Sequence, residues 1–189
     1  MLVQTALSAF GRVDVLVQNA AMADVRQSFE DVDLSSWRRI MDTNLFGTLQ
    51  LTKSVIPSMK EQGAGSIVFV SSMITRKPLP LLGGYATSKS ALLTAAQVLA
   101  KELGPHGIRV NTIVPGWMWG PSVERVFARQ QEHDGKTVEQ SYEEIAARIP
   151  LGIIPSDGDC ANAAVFFASD LASVITGQSL DVNGGEVFR

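Results

Sequence analysis

Ser66-Ile-Val-Phe-Val-Ser-Ser72, followed thirteen residues after its last serine by Tyr85-Ala-Thr-Ser-Lys89, is the stretch that decides the fold of this 189-residue chain. A short apolar run closed by two serines reads as a buried strand. Beyond it Leu92, Leu93, Ala96, Leu99 and Leu103 recur at helical spacing and stop at Gly104-Pro105, a C-terminal signal. Strand and helix together make one βα unit.

The same alternation extends both ways. Upstream, Val13-Asp-Val-Leu-Val17 has strand character and ends in Gln18-Asn19. Leu34, Trp37, Met41, Leu45, Leu49, Ile56 and Met59 then form an apolar stripe on one long helix, with Asp33 as its cap. Downstream, Ile108-Arg-Val-Asn-Thr-Ile-Val114 stops at Pro115-Gly116, and Gln178-Ser-Leu-Asp-Val182 stops at Asn183-Gly-Gly185. Four strands joined by helical crossovers predict an α/β fold, a doubly wound parallel sheet with helices on both faces. No repeat, charge block or linker divides residues 1–189, so a single domain is expected. Within it residues 117–155, a charged helical stretch bracketed by proline, read as a lobe or lid inserted beside the site.

Ligand crevices of open α/β sheets lie beyond the carboxyl ends of the strands. Asn19, Ser71-Ser72 and Pro115-Gly116 occupy three such ends. Gly116 has a purely structural reading too, as a turn residue required after Pro115. Trp117, Met118, Trp119 and Pro121 follow at once; they line an apolar substrate pocket or anchor the lobe to the core, and the sequence leaves both readings open.

Net charge is −3 and hydrophobic residues make up 46% of the chain, so a packed core is expected and no global positive field would gather nucleic acid or an anionic membrane. The one cysteine, Cys160, closes no intrachain disulfide and reads as a packing residue. His106 and His133 have no metal-ligand spacing to another His or Cys and are expected at the solvated surface. No apolar run approaches the roughly 18 residues of a membrane span, and Met1–Phe10 shows no signal-peptide pattern, so a cytoplasmic protein is expected.

Tyr85 and Lys89, four apart at the start of a helix, lie on one face. A tyrosine acting as general acid or base, ordinarily titrating near 10, needs a nearby positive charge to favour its phenolate, and an ammonium one turn away supplies it. Ser72 closes the preceding strand, so two hydroxyls can meet one substrate oxygen, one holding it while the other exchanges a proton.

The chain now resembles the short-chain dehydrogenase/reductase superfamily along its whole length. Gln18-Asn-Ala-Ala21, Asp42-Thr-Asn-Leu45, Val70-Ser-Ser72, Tyr85-Ala-Thr-Ser-Lys89, Ile108-Arg-Val-Asn111, Pro115-Gly116, Thr176-Gly-Gln178 and Asn183-Gly-Gly185 follow in that family's order. The resemblance implies a catalytic tetrad of Asn44, Ser72, Tyr85 and Lys89. Tyr85 would exchange the proton, Ser72 polarise the substrate oxygen, Lys89 lower the Tyr85 pKa and hold a nicotinamide ribose, and Asn44 anchor a water leading from Lys89 to solvent. It further implies NAD or NADP, with Asn19 and Ala20 bordering the adenosine half, Val70 lining the floor, and Pro115, Gly116 and Met118 along the nicotinamide. If the bulky residues after Gly116 line a pocket rather than anchor the lobe, Trp117 and Trp119 would face a small, apolar alcohol or ketone. A homodimer or homotetramer is implied as well. Members usually carry Thr where this chain has Gly120, so the carboxamide contact must come from elsewhere, with Ser122 the nearest candidate, or be absent.

The family's strand order is 3-2-1-4-5-6-7, and the strands read here correspond to its Rossmann-like C-terminal portion, 4-5-6-7. By that comparison roughly 60 to 80 residues, two βα units and a third strand, are absent, and with them the glycine-rich turn that cradles the diphosphate. The functional expectation is an oxidoreductase interconverting a hydroxyl and a carbonyl. The alternative is a non-catalytic truncated product serving only as an assembly module.

Overall fold

The computed structural model describes residues 2–24 and 26–188, with the backbone alone at 133 and 134. The placement expected of the His133 side chain therefore lies outside the described residues. The order is α1 (Leu2–Phe10), β1 (Val15–Gln18), α2 (Leu34–Met41), a π-helical segment (Asp42–Gly47), α3 (Thr48–Gln62), β2 (Gly65–Val70), α4 (Gly83–Leu103), β3 (Ile108–Pro115), α5 (Pro121–Asp134), α6 (Val138–Ala146), α7 (Asp157–Ala168) and β4 (Ser179–Val182).

The four strands form one parallel sheet in the order β1-β2-β3-β4, as the helical crossovers require. Side chains alternate across it. From β2, Ile67 and Phe69 pack with Val55 and Met59 of α3 and Leu92, Ala96 and Leu103 of α4. Val68 points the other way and, with Ile113 of β3, meets Ala164 and Phe167 of α7. The sheet is doubly wound. Each of Ile67, Phe69, Leu92 and Ile113 is 0 or 1% exposed and contributes about 1.5–3 kcal/mol of burial.

The long upstream helix is one rod only in outline. Asp33 caps it as expected, its carboxylate accepting from Ser35 N at 2.9 Å. The π-helical segment then interrupts the α-helical phase, and a wider turn rotates every later side chain about the axis. Leu34, ahead of that segment, is 49% exposed, whereas Leu45 and Met59 of the expected stripe enter the core and Met41, Leu49 and Ile56 pack against it; beside them a buried line runs Ile40, Asn44, Thr48, Thr52, Val55, Met59. Half of that line is polar because it faces groups in need of partners: Gln18, at the end of β1, donates to Thr48 O (3.0 Å) and Thr52 Oγ1 (3.3 Å).

Gly83 and Gly116 are among the glycines that close approach requires. A Cβ on Gly83 would lie 2.3 Å from the Trp37 ring, so the start of α4 seats directly on α2. A Cβ on Gly116 would lie 2.7 Å from Asn183 Cβ. Whatever the turn after Pro115 requires, the close approach of Asn183, just beyond β4, also demands glycine there.

Residues 117–155 hold α5 and α6, whose contact surface buries Phe127, Ala146, Ile149 and Ile154. Among the described residues no helix is long and apolar enough to cross a membrane.

Candidate active site

Three strand ends and the first turns of α4 converge. Ser72, just beyond β2, has an extended backbone, and its hydroxyl accepts from Ile74 N at 3.3 Å, capping a short turn at Met73–Thr75. This capping is the local reason for a serine here. It leaves the hydroxyl at the mouth of a cavity of about 250 Å3, where it hydrogen-bonds the Tyr85 phenol.

Lys89, one turn along α4, is 2% exposed, and its Nζ donates to the Val70 carbonyl at 2.8 Å while standing 5.7 Å from the Tyr85 ring centroid. Burial pushes the Lys89 ammonium down to about 8. Burial raises the Tyr85 phenol, and the hydrogen bond from Ser72 pulls it back in part.

Asn44, fully buried in the π-helical segment, donates to Met22 O (3.0 Å) and Ser88 Oγ (3.0 Å) and accepts from Met22 N (2.6 Å). Ser88 Oγ in turn donates to Tyr85 O at 2.8 Å. Asp24 accepts from the Tyr85 backbone N–H at 3.0 Å, placing a carboxylate at the positive end of α4. The loop after β1 is thus tied to the tyrosine-bearing helix at two points. Sequence reasoning missed Ser88 and Asp24. A serine three residues after Tyr85, on the same helical face, was a usable signal for Ser88; nothing local marks Asp24.

A second cavity, of about 590 Å3, is lined by Asn19, Val70, Pro115, Met118 and Ser122 among others. Of the expected cofactor contacts, those first four gather here, Gly116 lines the smaller cavity with Ser72 and Tyr85, and Ala20 is exposed and lines neither. Ser122, two residues beyond Gly120, lines this cavity. Trp117 lines the smaller cavity and also packs on Phe127; Trp119 lines neither cavity and packs on Phe127 and edge-on to Tyr142. Cys160 packs against the α7 side of the sheet, its thiol pushed up by burial, as befits an inert residue. Among the described residues no cluster of His, Cys, Asp and Glu could hold a metal ion.

A parallel sheet of this order with helices on both faces defines the doubly wound α/β class. Residues 1–186 match the family model described as Enoyl-(Acyl carrier protein) reductase, and the chain belongs to the short-chain dehydrogenase/reductase family. It is 38% identical over 186 residues to Dehydrogenase/reductase SDR family member 4 of Bos taurus, covering 98% of this chain and 63% of that relative. The chain thus spans less than two thirds of that relative's length. Among solved structures it is similar to the ligand-free aldohexose dehydrogenase of Thermoplasma acidophilum (TM-score 0.90, 30% identity, covering 98% of this chain and 72% of that one). It is also similar to NAD+-bound xylitol dehydrogenase (TM-score 0.87, 26% identity, covering 97% and 73%).

Proposed function

We propose that the chain carries the substrate side of an NAD(P)-dependent oxidoreductase that interconverts a hydroxyl and a carbonyl on a small, largely apolar alcohol or ketone. The observation that carries this reading is the Ser72–Tyr85 hydroxyl pair at the mouth of one cavity, backed by a buried Lys89. Ser72 would hold and polarise the substrate oxygen, and Tyr85 would give or take its proton. Lys89 would stabilise the phenolate as it forms, and Asn44 would keep the loop after β1 and the first turns of α4 in register.

The residues present suit the nicotinamide end of a dinucleotide. An ammonium has three N–H donors, and Val70 takes one of those on Lys89, which leaves buried donors fitted to a ribose diol. Lys89, Val70, Pro115, Gly116 and Met118 would hold that end, with Asn19 further along the larger cavity. When bound, NAD or NADP supplies or removes the hydride, which no side chain can do. The NAD+ in the similar xylitol dehydrogenase supports the assignment. Assembly as a homodimer or homotetramer belongs to the same reading, supported by Val98 of α4 and Leu180 of β4, apolar and 48% and 39% exposed.

The test has two parts. Titrating the 189-residue chain with NADH and NADPH, followed by cofactor fluorescence, is expected to show saturable binding of at least one. Tyr85→Phe is expected to keep that binding and to lose turnover of a ketone panel at least about hundredfold. Absence of binding to either cofactor favours the assembly-module reading, and turnover within a few-fold of wild type removes Tyr85 from the chemistry.

A further inference from the structure

Beyond β4 the chain folds back on itself. Asn183, 4% exposed, accepts from Gly185 N at 2.8 Å and donates to Val187 O at 2.9 Å, closing a tight turn. That turn carries Glu186 into the wall of the cavity that Ser72 and Tyr85 share. The Glu186 side chain is only 6% exposed. One of its oxygens, Oε1, accepts from Lys77 Nζ at 3.2 Å. The other, Oε2, is buried and has no hydrogen-bond donor among the described residues.

A buried carboxylate oxygen without a donor is an uncommon and costly arrangement, and a group that brings a donor to it is held there strongly. The donor that fits can be narrowed by charge. An anionic ligand would be repelled by the carboxylate. A cationic one would meet Lys77, already paired to Glu186, and Arg148 on the same wall. A neutral hydroxyl satisfies Oε2 without either conflict, and Leu79, Leu82 and Trp117 offer apolar surface to the carbon chain that bears it. We propose that Glu186 is a specificity-determining residue that accepts a hydrogen bond from a second hydroxyl of the substrate. The substrate class is then a hydroxy-ketone or diol with a short apolar stem between its reacting oxygen and that hydroxyl. The proposal rests on the reading of Ser72 and Tyr85 as the reacting end of this cavity.

The experiment measures binding, so it does not depend on turnover. A homologous series of methyl ketones with a terminal hydroxyl, each paired with its O-methyl ether, is titrated against the 189-residue chain by saturation-transfer NMR. At the stem length that spans the cavity, the hydroxy-ketone is expected to bind at least about tenfold more tightly than its ether, which can accept but not donate. Glu186→Gln keeps the shape and places an amide N–H where Oε2 stands, so the ratio is expected to fall to about one. Equal binding of hydroxyl and ether at every length, tightest binding by the matching keto acids, an undiminished ratio in Glu186→Gln, or no binding by any ketone each overturns the proposal. The wild-type ratio stands alone should the variant fold poorly. Failure of the catalytic reading shows separately, as retained turnover in Tyr85→Phe.

Discussion

The side-chain amide of Asn44 donates to Ser88 Oγ at 3.0 Å, joining the π-helical segment to the tyrosine-bearing helix through two fully buried residues. The same amide grips both backbone groups of Met22. Asn44→Ala removes these bonds at once and strands buried partners, so a loss of about 2–4 kcal/mol is expected by urea denaturation. Hydrogen exchange should accelerate at Met22 first. Exchange unchanged there would mean that the loop is held by other contacts.

Lys89 makes stability depend on pH in a defined direction. Its folded pKa, about 8, lies below its ordinary 10.5, so across that interval the unfolded chain binds more protons than the folded one, and stability rises with pH. Burying the charge costs most below pH 8, and the cost is gone once the unfolded lysine also loses its proton. Tyr85, raised by burial, works the opposite way above about 10, so the clean window is pH 8 to 10. Across it wild type should gain about 2 kcal/mol relative to Lys89→Met, read as the difference between two denaturation series. Parallel curves would place the Lys89 titration elsewhere.

Gly83 sets the spacing between α4 and α2. A methyl group 2.3 Å from the rigid Trp37 ring cannot be accommodated without a shift, and Gly83→Ala is expected to cost about 1–3 kcal/mol despite the better helix propensity of alanine. Pairing it with Trp37→Leu should recover most of the loss. If the single variant melts at the wild-type temperature, the two helices have room to part.

Among the described residues β1 pairs only with β2, and Val15 and Val17 are 40% and 46% exposed. An unpaired apolar edge recruits further strands. The 189-residue polypeptide should therefore self-associate as its concentration rises, and Val17→Lys should suppress this in sedimentation velocity. A monomer at every concentration would count against it.

What could be read from local pattern was the sheet, its helical crossovers and the Ser72, Tyr85 and Lys89 constellation, because strand period, helix period and i,i+4 spacing are properties of neighbours in the chain. The apolar stripe from Leu34 to Met59 found Leu45 and Met59 of the core, with Met41, Leu49 and Ile56 packed against it, but not the buried Asn44, because a π-turn has no periodic signature. Lys89 was legible as a charge beside Tyr85 but not as a donor to Val70, since that bond crosses from helix to strand.

The sequence by itself determined the class of fold and which hydroxyl and ammonium groups stand together at a strand end. Only the tertiary structure decided that Asp24 and Ser88 brace the tyrosine and that Glu186 turns back into its cavity. Asp24 lies 61 residues from Tyr85 and Glu186 lies 109 from Lys77. Contacts across such separations are set by how whole elements pack, and no window of neighbouring residues contains them.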